Sequence, residues 1–332
     1  MFGGGTGEGV DVITHHSRSK AALALGLVVV LSACSAGQAD QQQQDQQSSE
    51  ALVEPATTQA QDWAQVADAL GREGQLSDDT VYRVGFPRSD LDVTSRGVQI
   101  GAGFALGSYA AFTRYEDGTT MMMGDLVVTE EELPGVTDAL QDNGIDQTAV
   151  HQHLLDHEPA VWWTHFHAHG QDAAALAQGV DEALEATATP REAQDGPSQE
   201  LDLDTAAVDE AMGTQGRAQG GVYKFSFART GQVTSGDHVL PSGMGVATVI
   251  NFQPTGGGKA AVNGDFVMTA DEVQGVIQAL REGGIDIVAL HNHALNDQPR
   301  LFYMHFWAND DAATLARALR NAVDQHQVEP TG

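Results

Sequence analysis

Thr148-Ala149-Val150-His151-Gln152-His153 and, 140 residues further on, Val288-Ala289-Leu290-His291-Asn292-His293 decide how this chain is read. Each is followed at one fixed distance by a proline, Pro159 or Pro299, and then by a second histidine, in His165-Phe166 or His305-Phe306. Laid on itself at that offset, the chain aligns without a gap from Val93 to Ala168. Val93-Thr94-Ser95 falls on Val233-Thr234-Ser235, Gly124-Asp125 on Gly264-Asp265, and Gly144-Ile145-Asp146 on Gly284-Ile285-Asp286. Self-similarity at a fixed period is the mark of a repeated structural unit. The expected organisation is a tandem duplication, with unit 1 over residues 62–190, a polar linker over 191–203 and unit 2 over 204–328.

The pattern within a unit predicts an α+β fold. A short helix carries Trp63, Val66 and Leu70 at helical spacing and stops at Gly71; Val208, Met212 and Gly213 repeat it. Antiparallel strands follow over Val81 to Phe86, Gly107 to Tyr115 and Thr120 to Val128. Thr129 with Glu132, and Thr269 with Glu272, form capping boxes that open a helix, and Gly144 and Gly284 stand where that helix ends. Two further strands, Thr148 to Leu154 and Ala160 to Ala168, make a histidine-bearing β-hairpin. An alanine-rich helix from Gln171 to Glu185 closes the unit.

The chemistry lies on that hairpin, which in its two copies holds nine of the thirteen histidines. Residues two apart on a strand share a face, so His151 and His153 present both imidazoles to one side about 7 Å apart, and His165 faces them from the neighbouring strand. Antiparallel neighbours have Cβ atoms about 5 Å apart, close enough for three imidazoles to meet one ion at about 2.1 Å. His151, His153 and His165, with His291, His293 and His305, are therefore the expected ligands of a transition metal such as Zn, Cu, Ni or Fe. A single His-x-His on a strand is commonly a half-buried polar pair; the repetition of all three histidines is what favours metal. His157, His167 and His169 have no histidine partner in unit 2, and of these His167 and His169 share a face with His165 as secondary candidates. Asp125 and Asp265, each after a glycine at a strand end, are candidate ligands or catalytic bases. His151-x-His153-x4-Glu158 also meets the cupin spacing, but Gln298 replaces the glutamate in unit 2 and helices interrupt the barrel a cupin needs. Met121-Met122-Met123 reads as core packing, and Trp162, Trp163, Phe302 and Tyr303 as core or pocket wall. Gly256-Gly257-Gly258-Lys259, without a following Ser or Thr, reads as a turn.

The N-terminal region predicts export. Arg18 and Lys20 precede an apolar run, Ala21 to Leu31, which is too short to span a bilayer and suits a signal-peptide core. Leu31-Ser32-Ala33-Cys34 resembles a bacterial lipobox, and the chain's single cysteine stands where lipidation needs it. A signal peptide over 1–33, a lipid anchor at Cys34 and a Gln/Ser-rich tether over 34–61 are expected, which places the folded part outside the cytoplasm on the membrane. No second thiol exists for a disulfide or a cysteine metal site.

The chain has 332 residues with 46 acids against 16 bases, a formal charge of −30, and only three lysines. Such a surface has no basic face with which to displace phosphate counterions, so nucleic acid is excluded as an expected partner. An acidic, heavily hydrated exterior is the plain reading.

Ala289-Leu290-His291-Asn292-His293-Ala294-Leu295, followed by Pro299-Arg300-Leu301-Phe302-Tyr303-Met304-His305-Phe306-Trp307-Ala308, resembles the hallmark of the LppY/LpqO family of bacterial lipoproteins. Phe86-Pro87-Arg88-Ser89-Asp90-Leu91 and Asn263-Gly264-Asp265-Phe266-Val267 are similar to that family's patterns as well. The resemblance runs from about Trp63 to about Gln325. It implies a lipoprotein with two copies of a domain of unknown function (1259), and supplies no reaction. The expected function is a membrane-anchored metal-binding protein. A non-catalytic module that binds a small envelope ligand in a histidine-lined cleft stands as the alternative, and a metal-dependent hydrolase as a narrower version of the first. Whether it is an enzyme stays open at this stage, as does whether the six histidines form two sites or one.

Overall fold

The computed structural model describes residues 51–192 and 201–331. The signal peptide, Cys34 and most of the expected tether lie outside these residues, as does the middle of the linker. Unit 1 opens with a 3-10 turn, Ala60–Trp63, that runs into helix α1, Ala64–Leu70. Its main sheet contains β1 Gln75–Ser77, β2 Val81–Pro87, β3 Gly107–Arg114, β4 Thr120–Thr129, β5 Asp146–His151 and β6 Val161–Gly170. Helix α2, Leu133–Asp142, joins β4 to β5, and α3, Ala173–Glu185, follows β6. Unit 2 repeats the order: α4 Thr205–Met212; β7 Arg217–Gln219; β8 Val222–Arg229; β9 Ala247–Gly256; β10 Lys259–Met268; α5 Val273–Glu282; β11 Asp286–His291; β12 Phe302–Asp311; α6 Ala312–Val323. A last strand, β13 Val328–Pro330, pairs with β8.

Both sheets are antiparallel with the same strand order, β1-β2-β3-β4-β6-β5 and β7-β8-β9-β10-β12-β11. The late strand therefore enters the sheet beside β4 or β10, and the His-x-His strand takes the edge. The α+β tandem fold and the helix stops agree with the sequence: Gly71, Gly144, Gly213 and Gly284 all adopt the left-handed conformation that ends a helix.

Strand alternation builds four layers. On one face of the first sheet Tyr82, Val84, Phe112, Met122 and Phe166 pack against Trp63, Leu70, Leu140 and Val180 of the helices. The second sheet packs Phe225, Phe252, Phe266 and Phe306 against Val276, Leu280, Leu315 and Leu319 in the same way. The opposite faces meet each other. Val222, Ala261 and Trp307 of unit 2 are buried with Val93, Ile100, Phe104, Val127 and Trp163 of unit 1. Reciprocally, Val81, Ala111, Met121 and Met123 of unit 1 are buried with Val233, Leu240, Met244, Val267 and Tyr303 of unit 2. Each such side chain taken fully out of water contributes about 1.5–3 kcal/mol, so these two shared cores join the units firmly. The central strands β4 and β10 are buried on both faces as a consequence.

Two expectations need correction. The strand read over Thr148 to Leu154 ends at His151, so His153 lies beyond it in a loop. The chain leaves the strand there to form a short ribbon, in which His157–Glu158 pairs with Thr94–Ser95. Nor does the tether extend to residue 61. Val53 pairs with His238 of unit 2 and Pro55 with Tyr115 of unit 1, so this segment lies along both units. Its backbone groups bond to those of its neighbours. Among the described residues no helix is long and apolar enough to cross a membrane.

Candidate metal centre

The facing sheets bring all six predicted histidines and both predicted aspartates into one cluster. On β4 Asp125 stands directly opposite His165 of β6, and on β10 Asp265 stands opposite His305 of β12. His151 and His291 end the edge strands β5 and β11, and His153 and His293 follow two residues later. The contacts repeat across an approximate two-fold relation between the units. His153 packs on His305 with ring centroids 3.7 Å apart, His293 packs on His165 at 4.0 Å, and His151 stacks on His291 at 3.9 Å. The Nε2 atoms of His151 and His305 lie 3.1 Å apart and those of His151 and His153 2.9 Å apart. Rings this close make a packed cluster.

Three backbone carbonyls orient the rings. The Nδ1–H of His165 donates to the Gly124 carbonyl at 3.2 Å, that of His305 to Gly264 at 2.7 Å, and that of His293 to Gly245 at 3.1 Å. A carbonyl can only accept, so the proton sits on Nδ1 and the Nε2 lone pair of each neutral ring is free to ligate. Aromatic rings fix the loop histidines: His153 stacks on Trp163 at 4.6 Å and His293 on Tyr303 at 3.4 Å. Both aromatics are buried in the cores between the sheets, as the core reading expects, and each holds a histidine ring against it.

The electrostatics of the cluster follow from burial and from the crowding of like groups. Burial, with the neighbouring imidazoles adding to it, pushes His151, His153, His165 and His291 well below the usual imidazole range, and burial lowers His305 as well. These rings are therefore neutral at pH 7. Burial, then the nearby Asp265 carboxylate, pushes Asp125 well above the usual carboxylate range. Asp125 Oδ2 lies 3.4 Å from His153 Nε2, and Asp265 Oδ2 lies 2.8 Å from His293 Nε2. Nδ1 of His293 donates to the Gly245 carbonyl, which leaves its Nε2 facing that carboxylate oxygen.

Seven of the twelve buried, unpartnered side-chain polar atoms among the described residues belong to this cluster: Asp125 Oδ1, His151 Nδ1, His165 Nε2, Asp265 Oδ1, His291 Nδ1 and Nε2, and His293 Nε2. Each buried polar group left unmatched costs about 1–3 kcal/mol, which a bound ion relieves. Donor atoms converge within 4.8 Å of one another in three sets: Asp125, His151, His153 and His165; His151, His291 and His305; and His165, His291 and His293. Groups in the described residues are thus positioned to hold a metal ion, and the histidines form one shared cluster rather than one site per unit.

The secondary candidates lie apart from these sets. His167 stands opposite Met123 on β4, and burial lowers it to about 4. His169 is exposed, packing edge-on against His238 at 4.4 Å. His238 had no sequence signal; its Nε2 meets Asp117 at 3.1 Å and its Nδ1 Asp237 at 2.8 Å. Glu158, the third residue of the cupin spacing, is exposed in the ribbon away from the cluster. Met121 and Met123 pack between the sheets and Met122 against the helices, as core residues.

Fold and site together define a class: a fused pair of α+β units whose facing sheets enclose a histidine and aspartate cluster. The chain belongs to the family described as Domain of Unknown Function (DUF1259), whose model matches twice, over residues 64–186 and 206–325. The two matches bear out the duplication and the family resemblance of its histidine motifs. No curated protein matches. Among solved structures the chain is similar to a trimeric bacterial microcompartment shell protein, PduB, at 10% identity over 76% of this chain and 92% of that one, with a TM-score of 0.18. It is also similar to the double ringed trimeric shell protein MSM0271 from the RMM microcompartment, at 12% identity over 62% and 82% and the same TM-score. Likeness at that level carries no conclusion about fold or function.

Proposed function

We propose that this protein is an exported, lipid-anchored metal-binding protein whose two units jointly hold a transition metal between their sheets. The supporting observation is the cluster of six histidines and two aspartates, with seven buried atoms that make no hydrogen bond, among them His293 Nε2 at ion-pair distance from Asp265. Imidazole with carboxylate suits Zn(II), Cu(II), Ni(II) or Fe(II) and does not suit Ca(II). Asp125 and Asp265 act as ligands in this reading; a role as catalytic base belongs to the narrower hydrolase version. The lipid anchor at Cys34 supplies the membrane attachment, and the surrounding medium would supply the metal. Ring contacts of 3.4–4.0 Å favour an ion over an organic envelope ligand as the occupant.

Elemental analysis of the full chain, purified without a histidine tag, tests the proposal beside the His291→Ala/His293→Ala/His305→Ala variant. The wild type is expected to carry near-stoichiometric first-row metal that the variant lacks. Metal absent from both after reconstitution would refute it and return the ligand-binding module to first place.

A further inference from the structure

The geometry points to two metal ions in this cluster rather than one, an inference that rests on the metal-binding reading above. A tetrahedral ion of the class that imidazole selects takes four ligands, and an octahedral one six. Eight donors converge here. They divide by the two-fold relation into two equal sets, each closed by a histidine from the other unit. In the first, Asp125, His151 and His153 of unit 1 converge, with His165 within reach of this group as well as of the second, and His305 of unit 2 reaches them with its Nε2 3.1 Å from that of His151 and its ring 3.7 Å from that of His153. In the second, His291 and His293 of unit 2 converge with His165 of unit 1, and Asp265 Oδ2 lies 2.8 Å from His293 Nε2. Three imidazoles and one carboxylate complete each set.

The unpartnered atoms fall on both sides of this division. Asp125 Oδ1 and His151 Nδ1 lie in the first set, and His165 Nε2, His291 Nδ1 and Nε2, His293 Nε2 and Asp265 Oδ1 in the second. A single ion in the first set leaves the second without a cation, and the reverse holds equally. The stacked pair His151 and His291, centroids 3.9 Å apart, forms the boundary between the ions. Two-metal sites hold their ions about 3.5–4 Å apart, a separation of the same order as this stack. The class of ion is the borderline divalent one, and because each set borrows a histidine from the opposite unit, loading ties the units together.

The test is a titration of metal-free full chain with Co(II) and, separately, Zn(II), counting ions per chain after gel filtration. Saturation at two per chain is expected. His153→Gln and His293→Gln, one variant for each set, should each saturate at one, and the broadening that neighbouring paramagnetic ions cause in copper-loaded wild type should be absent from both. Saturation of the wild type at one ion overturns the two-ion assignment while leaving the metal-binding reading intact. A variant that retains its fold and binds no ion at all also overturns it, by showing a single shared site. No ion bound to the wild type overturns the reading and the inference together. Should either variant fail to fold, the wild-type ratio alone decides.

Discussion

Gly124 and Gly264 precede the two aspartates, and each has a role that no side chain could replace. Their carbonyls take the Nδ1–H of His165 and His305. A Cβ on Gly124 would stand 2.2 Å from the Tyr109 carbonyl oxygen, and one on Gly264 2.0 Å from that of Val249. Gly264→Ala is expected to destabilise the protein by about 1–3 kcal/mol in urea denaturation, since the strands must part to admit the methyl. Tyr303 offers a cleaner separation of site from fold. Tyr303→Phe keeps the ring under His293 and should leave metal affinity near wild type, whereas Tyr303→Leu should lower it about 10- to 100-fold in competition with a chelator. The six histidines of the cluster were legible because the same three recur at the same spacing in both units. The carbonyls that orient them were not, because a backbone acceptor has no signature in sequence. Neither was His238, whose partners Asp117 and Asp237 come from two hairpins far apart in the chain.

At the scale of elements, the two Thr-x-x-Glu pairs are not the capping boxes expected: each glutamate is itself the helix N-cap, with no side-chain cap bond. Glu132 still accepts from Thr129 N and Glu272 from Thr269 N. Each carboxylate also receives an arginine, Arg88 at 2.8 Å and Arg229 at 2.7 Å, and the helices begin after the glutamates at Leu133 and Val273. Those arginines are equivalent residues of β2 and its surroundings in the two units, yet 141 apart rather than 140, so a gap-free overlay hides the pair. The Arg229 guanidinium and the Thr269 and Gln327 amides outweigh burial and hold Glu272 down to about 2. With its folded value depressed, the stabilisation is complete above the unfolded carboxyl value near pH 4.5 and is lost as pH falls toward 2. Glu272→Gln should therefore remove about 3 kcal/mol at pH 7 and flatten the acid limb of the stability curve. Lys224 on β8 gives the same direction with pH for a different reason, because its charged form is the one the fold disfavours. Burial, and then Arg83, lower it to about 8, so the folded chain sheds a proton that the unfolded chain keeps up to about pH 10.5. Wild-type stability should rise between those values, and in Lys224→Met that rise should be smaller in pH-dependent thermal melts.

At the scale of the whole molecule, sequence revealed two copies of one unit but not how they meet. Periodicity marks which residues of a strand are apolar; both faces of β4 are, and nothing local says that one face meets helices and the other a second sheet. Only the packed structure places Val93 of unit 1 in one core with Trp307 of unit 2, and Met121 in one core with Met244. That sheet-to-sheet contact turns two histidine clusters into one. A metal bound only by the folded chain stabilises it by mass action, so saturation about 1,000-fold above Kd should raise Tm by about 10 °C, reversibly with a chelator. Both units should melt together in either state, because their cores are shared. The most direct test of the central claim is an anomalous difference map from crystals of the untagged full chain, recorded at the absorption edge of the metal it carries. The account predicts density between the sheets, within about 2.0–2.2 Å of histidine nitrogens of both units. A map without density there, with the imidazoles bonded to one another or to water in metal-reconstituted protein, would contradict it.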